Sequence, residues 1–376
     1  VELKEFRDRI KNTEVRCQLC AGTAHSLIRH IRESHSFTPS QYKERFPEAR
    51  LVSPLVSEVL RRFSRQPKKT HQLEEVGPEF LPGLDSAWLS NITDLAEKTY
   101  GQVKKDLEIL IPTIDPLYKM TEVGKSLAYA YLRGKNCYIE GPTGCGKSEL
   151  VKQLMAVTKR PVKRVNMHGD VTASNFIGQM KVNVQGTYFD MGDLPRAMKS
   201  GYPLMCDEVD FTPPHIAATL HPVMEKQPYL SIPETGEVIR AEKGFMVIGI
   251  GNTGGKGDMR GAYTGTEVLN TAFLDRFPIK LQMDYLESDL EQKMLVARFP
   301  KIGREEIDLM VSFANEIRAA FKQGDLMLTF STRKLVDYFE AQTVLGKTEA
   351  LKVTVLNWLD HEDSALVDQI KGRVGL

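Results

Sequence analysis

The segment Gly141-Pro142-Thr143-Gly144-Cys145-Gly146-Lys147-Ser148 has the types and spacing to do chemistry. Closely spaced glycines let backbone N–H groups converge on phosphate oxygens, and a helix N-terminus behind them adds the positive end of its dipole. The context fits, because the apolar run Cys137-Tyr138-Ile139 precedes the loop and a helical run, Ser148–Val157, follows it. All eight residues are therefore expected to touch a nucleotide. Lys147 supplies a point charge to the β- and γ-phosphates, and Ser148 an oxygen to Mg²⁺. Cys145 is expected to be filler in the loop and not a redox switch.

About sixty residues on, Pro203-Leu204-Met205-Cys206-Asp207-Glu208 is an apolar strand ending in two acids. Alone such a match is weak, since any strand can end in acids. After a phosphate loop at this spacing it is specific. Asp207 would hold the magnesium through water, and Glu208 would polarise the attacking water.

A second apolar strand, Gly244–Ile248, runs into Gly249-Ile250-Gly251-Asn252-Thr253. Asn252 at its carboxyl end could bond the γ-phosphate or the lytic water. The same stretch through Gly254 matches G-x-G-x-x-G, the dinucleotide fingerprint. That fingerprint must open a helix, and Gly255-Lys256-Gly257-Asp258 is loop text, so a dinucleotide site is rejected. Two arginines follow, Arg276 in Leu274-Asp275-Arg276-Phe277 and Arg333 in Ser331-Thr332-Arg333. Either alone would ordinarily be a surface ion pair. In this ordered set both are expected to sense the γ-phosphate.

A different chemistry sits near the start. Cys17 and Cys20 are followed, after nine residues, by His30, and after four more by His35. Two thiolates at a turn and two imidazoles on one helix face make a tetrahedral zinc site. His25 is a spare imidazole, while His168, His215, His221 and His361 are scattered and are not expected to be ligands. Arg16, Arg29, Arg32, Lys43, Arg45, Arg61, Arg62, Arg65, Lys68 and Lys69 surround the cluster. Residues 1–70 hold 15 Lys+Arg against 8 Asp+Glu, and the rest 35 against 41, so a basic head precedes a mildly acidic body. Such a head can bind DNA through its phosphates, in a salt-sensitive way, or dock a protein.

These groups need scaffolds to hold them. At about 150 residues per domain, 376 residues suggest two or three. With 41% hydrophobic and 26% charged residues, the chain is neither wholly disordered nor a membrane bundle. Apolar runs such as Phe245–Ile250 fall far short of the roughly 20 residues that span a bilayer. From the charged start no secretory leader is expected, and five scattered cysteines do not read as a disulfide framework. A reducing cytoplasm is the expected compartment. Strands at 136–140, 162–166, 204–207 and 245–250 alternate with helices at 147–157, 216–225 and 268–273. That alternation predicts an α/β unit with a parallel sheet. From Leu290 the text is helical, at 290–299, 305–321, 332–345 and 349–359. The expected domains are a finger over 1–50, a linker and helical extension over 51–105 with a helix near Val56–Phe63, an α/β domain over 106–283, and a helical lid over 284–376.

The order of these parts resembles the AAA+ ATPases over roughly residues 110–376. Asn175–Gly178 through Gly186–Phe189, and Tyr229–Ile232 through Val238–Arg240, are expected to form two hairpins, marks of the MoxR-like branch. Within that branch the text is similar to the ATPase subunits of aerobic cobaltochelatases. The shared residues are Gly251-Asn252-Thr253, Gly257-Asp258, Gly261-Ala262-Tyr263-Thr264-Gly265-Thr266, Asn270, Asp275-Arg276 and Phe330-Ser331-Thr332-Arg333. The resemblance implies a P-loop AAA+ core with helices on both faces of its sheet, a helical lid, ATP and Mg²⁺. It also implies a homo-oligomeric ring, usually a hexamer, that drives a protein client or chelatase-type partner subunits. Arg276 would then act across a subunit boundary, and Arg333 within its own chain. The Cys/His segment, with His35-Ser36-Phe37-Thr38-Pro39-Ser40-Gln41-Tyr42-Lys43, resembles the Ros/MucR zinc fingers and departs from the chelatase family. It leaves a second reading open, an ATPase tethered to DNA.

Overall fold

The computed structural model describes residues 15–20, 23–24, 28–35, 39–49, 86–118, 120–167, 171–184, 186–258, 263 and 265–376. The chain divides into two compact units, Val1–Glu75 and Val76–Leu376.

In the first unit, strands β1 (Val15–Arg16) and β2 (Thr23–Ala24) pair antiparallel, followed by helices α1 (Ile28–His35) and α2 (Pro39–Arg45). Its small core holds Val15, Cys17, Ile31, Tyr42 and Ala49. Among the described residues this core is small, and modules with small cores commonly add a metal or disulfides. The expected helix near Val56–Phe63, the spare His25, and Arg61, Arg62, Arg65, Lys68 and Lys69 lie outside the described residues.

The second unit opens with α3 (Ser86–Tyr100) and α4 (Glu122–Leu132), then β3 (Cys137–Glu140), α5 (Lys147–Val157) and β4 (Lys163–Asn166). A short helix, α6 (Ala173–Phe176), leads into the hairpin β5 (Gly178–Asn183) and β6 (Gly186–Met191). Next come α7 (Asp193–Ser200), β7 (Leu204–Asp207) and α8 (Pro214–Val223). A second hairpin follows, β8 (Tyr229–Ile232) and β9 (Glu237–Arg240), then β10 (Val247–Gly251), α9 (Thr271–Leu274) and β11 (Ile279–Gln282).

Five strands form one parallel sheet in the order β11-β3-β10-β7-β4. Both faces are covered at the centre, so β3, β7 and β10 are continuous apolar runs, while the edge strands β4 and β11 alternate. Ile139, Met205 and Ile248 face a core shared with α3, α4 and α5. Tyr138, Leu204, Cys206 and Val247 face a second core shared with α7 and α8. Leu150 and Leu154 of α5 are fully buried, and each such side chain contributes about 1.5–3 kcal/mol by leaving water. The register sets Gly251 beside Glu140 and Ile250 beside Asp207, so β3, β7 and β10 end level. The chain leaves β3 for the far edge at β4 and returns to its other side at β11. Ligands of open α/β sheets bind at the carboxyl ends where the order reverses in this way.

The lid consists of α10 (Ser288–Arg298), α11 (Arg304–Gln323), α12 (Thr332–Leu345), α13 (Lys347–Thr354) and α14 (His361–Val374). On α11, Ile307, Met310, Val311, Ala314 and Ile317 recur at helical spacing and are all buried in the lid core.

In the linker and helical extension expected over 51–105, Ile92 and Ala96 of α3 are buried in the core beside α4 and α5. One expectation needs correction. The helix expected over 268–273 begins only at Thr271. The Asn270 side chain accepts the Ala272 N–H as an N-cap, and Val268 instead bridges to Lys256.

Candidate active site

The phosphate loop lies between β3 and α5, as its spacing predicts. Gly144 has φ of 69°, and a Cβ there would collide with the Ser331 side chain of the lid. Lys147 opens α5 and is buried. Its Nζ donates to the carbonyls of Gly141 (2.7 Å) and Pro142 (2.8 Å) and to Asn252 Oδ1 (2.8 Å). Burial pulls its pKa down, and Arg333 adds to this, while Asp207 and Asp210 oppose it. Ser148 Oγ donates to Asp207 Oδ2 at 2.9 Å. Glu208 follows β7 with φ of 57°, a left-handed turn that takes its side chain out of the strand. Lys147, Ser148, Asp207, Glu208, Asn252 and Arg333 all line one polar cavity of 180 Å³. The text after Gly251 is turn and loop, so the rejected dinucleotide fingerprint has no helix to open. Burial pushes the Cys145 thiol up, which keeps it protonated and inert.

Arg276 lines neither this cavity nor its larger neighbour. Its Nη2 pairs with Glu225 Oε1 at 2.9 Å, and Nη1 donates to the Ala272 carbonyl at 2.5 Å.

In the first unit, the ligand atoms of Cys17, Cys20, His30 and His35 all lie within 4.8 Å of one another. Cys20 Sγ is 3.1 Å from His30 Nε2 and 3.2 Å from His35 Nε2. Burial raises the Cys17 thiol, but the backbone amides of Leu19 and Cys20 and the Tyr42 hydroxyl outweigh it and bring it down to about 6. His215, His221 and His361 are not part of the cluster, and His168 lies outside the described residues.

Two family models match this chain: the AAA domain of the dynein-related subfamily over residues 136–277, and the CbbQ/NirQ/NorQ C-terminal domain over 291–370. The aerobic cobaltochelatase subunit CobS of Sinorhizobium sp is 30% identical over 285 residues, which is 73% of this chain and 85% of that protein. The chain belongs to the MoxR-like AAA+ ATPases. An uncharacterized protein of Staphylococcus aureus (strain USA300) is 31% identical over 234 residues, 61% of this chain and 86% of its own. Among solved structures, the Thermotoga maritima RuvB Holliday junction branch migration motor covers 68% of this chain and 75% of its own. Its identity is 15% and its TM-score 0.41.

An AAA+ ATPase takes ATP and Mg²⁺, and the residues present fit both. Ser148 Oγ and Asp207 Oδ2 are hard oxygen donors 2.9 Å apart on the wall of the phosphate cavity. The larger cavity, 650 Å³, adjoins the loop between the α/β core and the lid. Tyr118, Met120, Leu286, Leu290, Met294 and Val336 give it the apolar walls that a purine needs. None of these residues was predicted from sequence, because they come from three separate segments.

Arg164 was also missed. It sits on the edge strand β4, where a charged residue looks like ordinary solvated surface. Here its Nε and Nη2 both lie 2.7 Å from Asp207 Oδ2, the oxygen that also accepts from Ser148. Tyr285 was missed as well. Its hydroxyl donates to the phosphate-loop carbonyl of Thr143 at 2.9 Å and meets Thr329 Oγ1 in the lid.

Proposed function

We propose that this ATPase is the motor subunit of a homo-oligomeric ring, of hexamer type, that spends ATP on remodelling or driving a partner protein. The partner proposed first is a metal chelatase of the cobaltochelatase kind. The observation that carries the reading is the single cavity shared by Lys147, Ser148, Asp207, Glu208, Asn252 and Arg333. The 30% identity to CobS across 85% of that protein supports the choice of partner.

In this reading the loop from Gly141 to Ser148 cradles the phosphates, with Lys147 leaving its carbonyls for the β- and γ-phosphate oxygens. Ser148 and Asp207 would hold magnesium, which neutralises charge on those oxygens. Glu208 orients water for in-line attack on the γ-phosphorus. Asn252, already 2.8 Å from Lys147 Nζ, reports the γ-phosphate. Arg333, at the start of α12, brings the lid onto the same phosphate. Arg276, turned away from its own chain's cavity, serves a neighbouring subunit, where a guanidinium can meet two phosphoryl oxygens.

The Cys17, Cys20, His30 and His35 set would hold one structural zinc. Tetrahedral Zn–S and Zn–N bonds place ligand atoms roughly 3.3–3.8 Å apart, and the distances from Cys20 to its two imidazoles fall just under that range. Tyr42 fits as an outer partner, its hydroxyl donating to Cys17 Sγ at 3.7 Å. No helix among the described residues is long and apolar enough to cross a membrane. The free thiols of Cys137, Cys145 and Cys206 suit a reducing cytoplasm.

The test is affinity purification of a Glu208→Gln form, which should hold ATP and trap the partner. Recovery of chelatase-type subunits is the expected result. Recovery of DNA with no such subunits would overturn it and favour the DNA-tethered reading.

A further inference from the structure

Asp210 lies three residues beyond Asp207, in the 3-10 turn Val209–Phe211, and is 1% exposed. A carboxylate so deep in a fold must be fully hydrogen-bonded. Its partners are specific. Oδ2 accepts the backbone N–H of Asn252 at 2.6 Å and of Thr253 at 2.8 Å, and Oδ1 accepts that of Gly255 at 3.3 Å. The Tyr138 hydroxyl, from the middle of β3, also donates to Oδ1. Burial, reinforced by the Asp210 charge, pushes Tyr138 far up and keeps it a donor.

Gly251 shows how closely the loop wraps this group. A Cβ at Gly251 would meet the Tyr138 hydroxyl and would stand 2.5 and 2.6 Å from the two Asp210 oxygens. Its side-chain space is thus already filled by the carboxylate. On the other side, the turn that carries Asp210 starts at Glu208, whose carbonyl accepts the Phe211 N–H at 2.9 Å. Glu208 and Asp210 are therefore one rigid piece of backbone. Asn252 is tied to that piece through its own N–H, and reaches Lys147 with its side chain.

We propose that Asp210 is a positioning residue that locks the Asn252 loop to the Glu208 turn, so that γ-phosphate recognition and water activation share one frame. This rests on the assignment of Asn252 as γ-phosphate sensor. Asp210 itself touches no phosphate; it acts through the amides of residues 252, 253 and 255. The substitution Asp210→Asn would turn a side-chain N–H₂ donor toward amides that are donors themselves. It would leave at least one of them unpaired, and the loop would shift.

The experiment is a double-mutant cycle on the full chain, reading affinities for ATPγS and for ADP together with kcat. Asn252→Ala should lower the ATPγS-to-ADP affinity ratio while ADP affinity holds. Asp210→Asn should lower the same ratio by about tenfold, the scale of a lost hydrogen bond to a charged group, and reduce kcat at least as much. The double variant should be no worse than the worse single. Gly251→Ala, which keeps the carboxylate but pushes against it, should reproduce the loss of ratio even if Asp210→Asn folds poorly. Multiplying effects in the double variant would overturn the proposal, as would equal losses of ATPγS and ADP affinity in Asp210→Asn. If Asn252→Ala alone leaves the ratio unchanged, the sensor assignment fails and takes the proposal with it.

Discussion

Replacing Arg318 by leucine should unfasten the lid. Arg318 is 4% exposed and Glu291 fully buried. The guanidinium grips the carboxylate twice, Nη1 to Oε2 at 2.7 Å and Nη2 to Oε1 at 2.9 Å. It also donates to the Phe330 carbonyl at 2.7 Å and to Asn315 Oδ1 at 2.9 Å, and stacks 4.3 Å from the centre of the Tyr285 ring. Thr332, next to Arg333, gives its hydroxyl to Glu291 Oε1 at 2.5 Å. Arg318→Leu leaves a buried charge with little more than that hydroxyl. Breaking one side of such a pair costs about 3–5 kcal/mol, whereas replacing both sides with apolar groups is often neutral or better. In Arg318→Leu/Glu291→Leu the Phe330 carbonyl and Thr332 hydroxyl still lose partners, at about 1–3 kcal/mol each when buried. The double variant should therefore recover part, not all, of the loss. Urea unfolding followed by Trp358 fluorescence in a Trp88→Phe background reads the lid directly, since the chain has 2 tryptophans. A single variant within about 1 kcal/mol of the parent, the range of an exposed pair, would refute this reasoning. So would a double variant no more stable than the single.

Purified protein should contain one zinc per chain by elemental analysis, lost in Cys17→Ser/Cys20→Ser, while the ATPase unit stays folded on its own large cores. Zinc-free protein purified without chelator would contradict this. Arg164→Gln removes two donors from Asp207 Oδ2, so half-maximal magnesium-dependent ATPγS binding should need less Mg²⁺. An unchanged or higher requirement would show that Arg164 does not compete for that oxygen. Arg276→Ala should slow hydrolysis by about 10³–10⁵-fold, the range for a lost arginine finger. Mixing it with inactive Glu208→Gln subunits should restore hydrolysis, and no recovery in rings shown to hold both would make Arg276 a local structural residue.

What was legible in the sequence was what is local along the chain. The phosphate loop needs eight consecutive residues between a strand and a helix, and β7 with its two acids needs six. The four candidate Cys/His ligands fall within nineteen residues at fixed spacing, and the structure gathers them. Helix α12 was placed over its full span because Ser331 caps it, accepting the Lys334 N–H. The start of α9 was misplaced because Val268 and Leu269 extend the apolar pattern, while the Asn270 cap decides where the helix begins. Groups joined only by the fold were not legible. Arg164 meets Asp207 across 43 positions, Tyr138 meets Asp210 across 72, and Tyr285 meets Thr143 across 142. The Asp210 signal was faint but present, an acid set between the apolar Val209 and Phe211 just after the acidic pair.

The central claim is that Lys147 and Glu208 divide one reaction, charge on the phosphates against orientation of water. Steady-state hydrolysis and a nucleotide-binding titration on Glu208→Gln and Lys147→Ala, side by side with the parent chain, test it most directly. Glu208→Gln is expected to bind ATP as the parent does and to hydrolyse it at a small fraction of the rate, while Lys147→Ala loses binding. Parent-like hydrolysis by Glu208→Gln would contradict the account.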